Sequence, residues 1–175
     1  IMRRKLYLII SDGGGNTPLR GVHIDKDNFL NFFKSPEGGA WKDDEILVFE
    51  NNNFDLDILK INDLNARIDK KPIDFYLIVY CGHGFTDQHN QIYFQVRPDE
   101  HLQLNDLLGV VAKSRCLVIA DSCRAKCHLR EGGRIADLRM FSTSEDARNS
   151  VYADLCRKMY NDLIEATPST IQVVY

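Results

Sequence analysis

Short runs of apolar residues alternate along this chain with segments whose apolar residues recur every three or four positions. Turn residues bound the apolar runs, so each run predicts a buried β-strand. Strands that alternate with helices are typical of an α/β protein, in which crossover helices join the strands of a parallel sheet. The six predicted strands cover residues 5–11, 45–50, 73–80, 115–120, 138–143 and 171–175.

Four amphipathic helices are predicted between these strands. They cover residues 21–33, 56–68, 102–112 and 151–165. Segment 91–96 predicts part of a small hairpin. The expected fold class is therefore α/β, with a central, mostly parallel sheet of about six strands flanked by helices.

Composition narrows the class of protein. The 175 residues fit a single domain over 1–175, and hydrophobic and charged fractions of 44% and 27% favour a packed core with a soluble surface. A net charge of -3 argues against nucleic-acid binding, which would require a basic face. No apolar stretch approaches the roughly 20 residues that span a bilayer. The five cysteines are irregularly spaced and do not indicate a secreted disulfide framework, so we expect a cytoplasmic protein with no membrane partner.

Two reactive side chains, those of His83 and Cys123, come shortly after two predicted strands. The carboxyl ends of parallel strands form the edge at which open sheets bind ligands. A thiol near neutral pH needs a base to become a nucleophile, and imidazole suits that role. The flanking glycines allow close approach of a substrate, and the N–H groups of Gly84 and Cys123 are predicted to form an oxyanion hole.

The motifs at these strand ends resemble those of metacaspases, which are caspase-like cysteine peptidases. Tyr80-Cys81-Gly82-His83-Gly84 is similar to the family's histidine motif Tyr-Ser-Gly-His-Gly, and Asp121-Ser122-Cys123 is similar to its Asp-Ser-Cys nucleophile motif. Segments 19–25 and 141–144 resemble two further family segments, so the likeness runs in order along essentially the whole chain. The resemblance implies a caspase–hemoglobinase fold with His83 and Cys123 as the catalytic dyad. It leaves open whether the chain is part of a longer protein.

Substrate specificity is also implied by the resemblance. In metacaspases, the residues at the positions of Asp25 and Asp121 line the pocket for a P1 Arg or Lys. A buried carboxylate requires a cationic partner, which favours the same side chains. We therefore expect a protein or peptide substrate that is cleaved after Arg or Lys and not after Asp, with a regulatory protein as a further partner.

A basic stretch follows the proposed nucleophile. Arg130 and Arg134 flank the pair Gly132 and Gly133. In this family the corresponding loop is often cut during maturation, so either arginine is a candidate autocleavage site. The alternative is a solvated loop without such a role.

Other functions remain as alternatives. The main alternative is a caspase-like module that is catalytically silent and works by binding. For the peptidase and for this module alike, the resemblance implies a role in programmed cell death or antiviral defence.

A zinc site is a further alternative, although the spacing of its ligands departs from the usual pattern. Its ligands would be Cys81, His83, Cys123, Cys127 and His128. Few acidic residues follow His83, so calcium dependence is not expected. We predict neither a metal nor a cofactor.

Overall fold

The computed structural model describes residues 2–14, 18–50, 53–111, 114–122, 150–167 and 171–174. The elements occur in the order β1 (Arg4–Ile10), α1 (Val22–Lys34), a short 3-10 helix (Asp43–Glu45), β2 (Ile46–Phe49), α2 (Leu56–Ile68), β3 (Phe75–Gly82), β4 (Gly84–Thr86), β5 (Ile92–Arg97), β6 (Glu100–Gln103), α3 (Leu104–Val111), β7 (Arg115–Ser122), α4 (Ser150–Ala166) and β8 (Ile171–Val174).

The central sheet has the strand order β2-β1-β3-β7-β8, and each neighbouring pair is parallel. This confirms the expected α/β class with a parallel sheet. The described residues contribute five strands to this sheet instead of the expected six or so. The difference is segment 138–143, which was predicted as a strand and lies outside the described residues.

A second sheet of three antiparallel strands, in the order β4-β5-β6, follows β3 in the chain. The predicted hairpin is thus confirmed as part of a larger unit. Because residues 100–103 form β6, α3 begins at Leu104 and not at residue 102 as predicted.

Both faces of the central sheet are buried. One apolar cluster contains Tyr7 and Ile9 of β1 together with Leu59 of α2, and the opposite cluster contains Leu8 of β1 together with Phe33 of α1. Strands that are covered on both faces read as continuous apolar runs, which explains why β1 and β3 show no alternation in the sequence.

The helix α4 is held to the rest of the fold by a cluster of charges. Arg157 of α4 donates hydrogen bonds to Glu45 Oε2 at 2.7 Å and to the carbonyl oxygen of Ala40 at 2.9 Å. Arg4 donates to the carbonyl oxygen of Gly39 at 3.0 Å and lies 3.5 Å from Glu45. The Glu45 carboxylate therefore joins two arginines from different elements.

No helix among the described residues is long and apolar enough to cross a membrane.

Candidate active site

The ladder between β3 and β7 ends at the pair Gly82 and Ser122. Both strands run two residues beyond the ends predicted from the sequence, at residues 80 and 120. His83 therefore follows its strand directly, at the carboxyl edge of the sheet. The loop after β1 reaches the same edge, where the N–H of Ser11 donates to the carbonyl oxygen of Cys81 at 2.9 Å.

The imidazole of His83 lies against the backbone of Gly13. A Cβ atom placed on Gly13 would be only 2.6 Å from Cδ2 of His83 and 3.3 Å from Nε2. Gly13 also has a φ of +79°, which side-chain-bearing residues rarely adopt. Position 13 thus requires glycine for two separate reasons, and the ring of His83 occupies the space that results.

The main chain at His83 is fixed by Tyr80 and Gln95. The hydroxyl of Tyr80 is 2.6 Å from the carbonyl oxygen of His83 and 2.8 Å from that of Gln95. The N–H of Gln95 donates to the carbonyl oxygen of His83 at 2.9 Å. Burial raises the pKa of Tyr80 far above its ordinary value, so its hydroxyl keeps its proton and remains a donor.

The N–H of Gly84 faces the open edge of β4. In an antiparallel ladder, a bond from Gln95 N–H to His83 oxygen marks Gly84 and Phe94 as a pair that is not joined by hydrogen bonds. The N–H of Gly84 consequently points away from β5, and β4 is an edge strand in the part of the chain that the structure describes. A Cβ on Gly84 would lie 2.8 Å from Ser122 Oγ, so a side chain at this position would collide with β7.

Three acidic or weakly acidic groups lie together on the α1 side of this edge. Cys81 and Asp121 are partners in the β3–β7 ladder, and partners in a ladder project to the same face. Burial and then the charge of Asp121 raise the pKa of Asp25, so the two carboxylates are close enough to interact. The structure thus brings together the two residues that the sequence assigned to a P1 pocket.

The side chain of Asp121 differs from the sequence-based expectation in one respect. The argument from the sequence treated it as a buried anion, but Asp121 is exposed at the end of β7. Any preference for a cation at this site must therefore come from the pair of carboxylates together.

Cys81 remains a neutral thiol. It is 1% exposed, and burial, followed by the charges of Asp121 and Asp25, raises its pKa far above its ordinary value. A thiol that resists ionisation is a poor nucleophile, which agrees with the absence of a catalytic role for Cys81 in the sequence-based hypothesis.

Several residues of the sequence-based site lie outside the described residues. These are Cys123, Arg130 and Arg134, together with Cys127 and His128 of the zinc alternative. Within the described ranges, no group of three or more His, Cys, Asp or Glu side chains is arranged to hold a metal ion.

Sequence reasoning missed Gln95 because it comes from β5, and nothing in the local pattern of that strand links it to His83. Tyr80 was noticed only as the first residue of the histidine motif. A register prediction for β4 and β5 would have been needed to bring Gln95 to His83.

Comparisons with known proteins give structural matches alone. No family model matches the chain, and no curated protein matches it. Solved structures similar to it include caspases. Caspase-1 from Spodoptera frugiperda is 19% identical with a TM-score of 0.49, and the match covers 82% of this chain and 55% of that one. The Drosophila initiator caspase Dronc is 9% identical with a TM-score of 0.43, and the match covers 68% of this chain and 52% of that one. The matched region is thus little more than half of each of these caspases.

Proposed function

We propose that this protein is a cysteine endopeptidase of the caspase–metacaspase type, in which Cys123 is the nucleophile and His83 is the base. The observation that carries this proposal is the register of β3 and β7. Gly82 and Ser122 are the last paired residues of two adjacent parallel strands, and the proposed dyad consists of the residues that follow them in the sequence. Neighbouring strands lie about 4.8 Å apart, which is a suitable starting separation for a thiol and an imidazole that must exchange a proton.

The proposed reaction follows the usual course of thiol acyl transfer. His83 removes the proton from Cys123 Sγ, and the thiolate attacks the carbonyl carbon of the scissile bond. The N–H groups of Gly84 and Cys123 donate to the oxyanion that forms. His83 then protonates the leaving amine, and the thioester remains. Water, deprotonated by His83, hydrolyses the thioester and restores the thiol.

The Gly84 part of this proposal is supported by the ladder geometry. An oxyanion donor must not be engaged by its own sheet, and the N–H of Gly84 is directed away from β5. Removal of one such donor in acyl-transfer enzymes costs on the order of 10²–10³ in kcat. Only proline removes a main-chain N–H, and it also constrains φ. Gly84→Ala keeps the N–H and instead tests the close contact with Ser122.

A basic P1 residue is proposed for the substrate. Burial and the charge of Asp121 oppose the ionisation of Asp25, and a cation between the two carboxylates would relieve their repulsion. An acidic P1 residue would add a third negative charge to the same place. Peptides with Arg or Lys at P1 are therefore the proposed substrates.

A panel of fluorogenic peptides with P1 Arg, Lys or Asp tests the function directly. We expect hydrolysis after Arg and Lys, none after Asp, and none by the variants Cys123→Ala and His83→Ala. Cys81→Ala serves as a matched cysteine control. Hydrolysis that survives in Cys123→Ala would refute the assigned nucleophile. A folded protein that cleaves none of the panel would favour the silent binding module.

Self-processing after Arg130 or Arg134 is part of the same proposal. Intact-mass spectrometry of the wild type beside Cys123→Ala would show two new termini in the wild type alone. Lysine at both positions should preserve the cut, whereas glutamine at both should abolish it. A wild-type chain that cleaves P1-Arg peptides yet stays whole would contradict self-processing.

A further inference from the structure

The small sheet that follows His83 has two unlike faces. Phe94 and Leu102 are buried on one face, in the apolar cluster that also contains Leu59 of α2. Phe85 and its ladder partner Tyr93 project from the other face, because neighbours along a strand point to opposite sides of a sheet. The outer face of the small sheet is therefore the one that carries these two rings.

Three rings form an aromatic cluster on this outer face. Those of Phe85 and Tyr93 are stacked, with centroids 5.1 Å apart and an angle of 11° between their planes. The ring of His101 meets Phe85 edge-on, with centroids 5.1 Å apart. Phe85 and Tyr93 are only partly buried and His101 is exposed, so the described residues leave aromatic surface accessible here.

Two hydrogen bonds at the ends of β4 show which of its main-chain groups face outward. The carbonyl oxygen of His83 accepts from β5 at 2.9 Å, and the N–H of Asp87 donates to the carbonyl oxygen of Gln91 at 3.0 Å. The alternation of an antiparallel ladder then directs the N–H and C=O groups of Gly84 and Thr86 away from β5. Among the described residues, β4 has no strand on that side.

The proposed reaction determines which part of a substrate reaches this edge. The candidate P1 pocket of Asp25 and Asp121 lies on the α1 side of the central sheet, whereas the small sheet packs on the α2 side. A group that protonates the leaving amine lies on the amine's side of the scissile bond. The residues after the bond therefore leave past His83, in the direction of β4.

We propose that β4 binds the segment after the scissile bond as an added parallel strand, and that the aromatic cluster selects an aromatic side chain at P2′, the second residue of that segment. The inference rests on the proposed function, because its register starts from the oxyanion. With the N–H of Gly84 on the P1 carbonyl oxygen, a parallel ladder brings the N–H of P2′ to the carbonyl oxygen of Gly84 and the carbonyl oxygen of P2′ to the N–H of Thr86. P2′ is then the direct partner of Phe85, on the face of the aromatic cluster.

An aromatic side chain suits P2′ for a physical reason. Its ring extends the row of rings from Tyr93 through Phe85 to the substrate, and aromatic pairs between neighbouring strands stabilise a sheet. The partly buried ring of Phe85 also loses accessible apolar surface in this contact. Glycine at P2′ makes neither contact, so only its main-chain bonds would hold it.

Internally quenched peptides that extend past the scissile bond test the inference. All have Arg at P1, and they differ in Phe or Gly at P2′. We expect kcat/KM of the wild type to be about tenfold higher with Phe than with Gly. Phe85→Thr keeps a residue that favours strands and should lower this ratio to about two or less. Phe32→Ala is the matched control, because Phe32 is a 44% exposed ring near the C-terminal end of α1, and it should leave the ratio at the wild-type value.

Phe85→Lys gives a second readout that a merely structural role would not produce. A cation in place of the ring should reverse the preference, so that peptides with Glu at P2′ are cleaved faster than those with Phe. Lysine is a common residue on edge strands, so β4 should accept it. Circular dichroism shows whether each variant folds, and if one does not, the other still decides.

Equal kcat/KM values for Phe and Gly at P2′ in an active wild type would overturn the inference alone. A ratio that neither Phe85→Thr nor Phe85→Lys changes would do the same, and so would a preference that depends on Phe85 but acts on the residue before P1. Fluorescence anisotropy measures binding of the same peptides to Cys123→Ala and does not depend on turnover. Tighter binding of the Phe peptide that Phe85→Thr abolishes, beside a wild type that cleaves neither peptide, would support the P2′ contact and count against the proposed function alone.

Discussion

Cys81 and Asp121 are direct partners in the parallel ladder of β3 and β7, so a buried thiol stands beside an exposed carboxylate at the edge of the sheet. The thiol is the weaker acid of the two by a wide margin, because burial and two neighbouring carboxylates oppose its ionisation. This relationship separates the chemistry of Cys81 from that proposed for Cys123, although both residues belong to the quoted catalytic motifs.

Alkylation should distinguish these cysteines. At pH 7.5, iodoacetamide is expected to leave Cys81 and Cys116 unmodified in the folded protein, because burial raises the pKa of Cys81 and raises that of Cys116 to about 12. Cys123 should react first if it is the nucleophile. Peptide mapping by mass spectrometry measures each site, and the half-exposed Cys156 provides the comparison. Modification of Cys81 at the rate of Cys156 would contradict this account.

Substitution of Gly13 should disable the site with little effect on other regions. Gly13→Ala places a methyl group 2.6 Å from the imidazole and forces alanine into a left-handed conformation. We expect a loss on the order of 10² in kcat/KM, because the ring must move. Gly21→Ala is the matched control, since a Cβ there meets nothing within 4 Å and its φ is -67°. Equal activities of the two variants would show that the ring does not depend on Gly13.

The raised pKa of Asp25 has a consequence for stability. A carboxyl group whose pKa is higher in the folded state than in the unfolded state binds more protons when folded. The stability of the protein therefore falls as the pH rises from the unfolded-state pKa of Asp25 to its folded-state pKa. The loss of stability caused by ionised Asp25 is absent below the ordinary pKa of aspartate and fully present above the raised pKa of Asp25. Asp25→Asn should therefore melt at a higher temperature than the wild type at pH 7, and this advantage should shrink toward pH 3.

Asp27→Asn is the control for that measurement, because Asp27 lies on the same helix, is exposed and is 3.6 Å from Lys26. Asp25→Asn should also lose about tenfold or more in kcat/KM for P1-Arg peptides, since one charged partner of the substrate is removed. A variant that is less stable than the wild type at pH 7 would argue against repulsion between the two carboxylates.

The charge cluster around Glu45 should contribute strongly to stability. Glu45→Gln leaves Arg4, whose side chain is fully buried, and Arg157 without their shared carboxylate, and we expect a loss of about 3 kcal/mol in the free energy of unfolding. Asp43→Asn breaks an exposed ion pair with Lys34 and should cost less than about 1 kcal/mol. Urea unfolding measures the free energy of unfolding of the two variants. Similar losses in both would mean that burial of the charge cluster does not strengthen its contribution to stability.

Much of the fold follows from the sequence, because strands covered on both faces produce apolar runs that are hard to mistake. The bounds predicted for α2 match those observed, and β1, β3 and β7 are found where the runs predicted them. The ends of β3 and β7 were placed too early, since Gly82 and Asp121 have turn-like character that the parallel neighbours override. β4 has only three residues, too few to show a periodic pattern.

The candidate site was predictable only in part. His83 stands in a recognisable motif, and the proximity of Asp25 to Asp121 was expected from the resemblance. The contacts of His83 with Gly13 and Gln95 were not expected, because they depend on how a loop and a strand from distant parts of the chain meet. Local sequence patterns carry no information about such meetings.

The link between position 95 and His83 runs through the main chain, which has a consequence for how this protein can change. The carbonyl and amide groups that anchor the histidine belong to the peptide backbone and survive nearly any replacement at that position. Position 95 can therefore change its side chain through a single codon change while the main chain of the histidine stays in place.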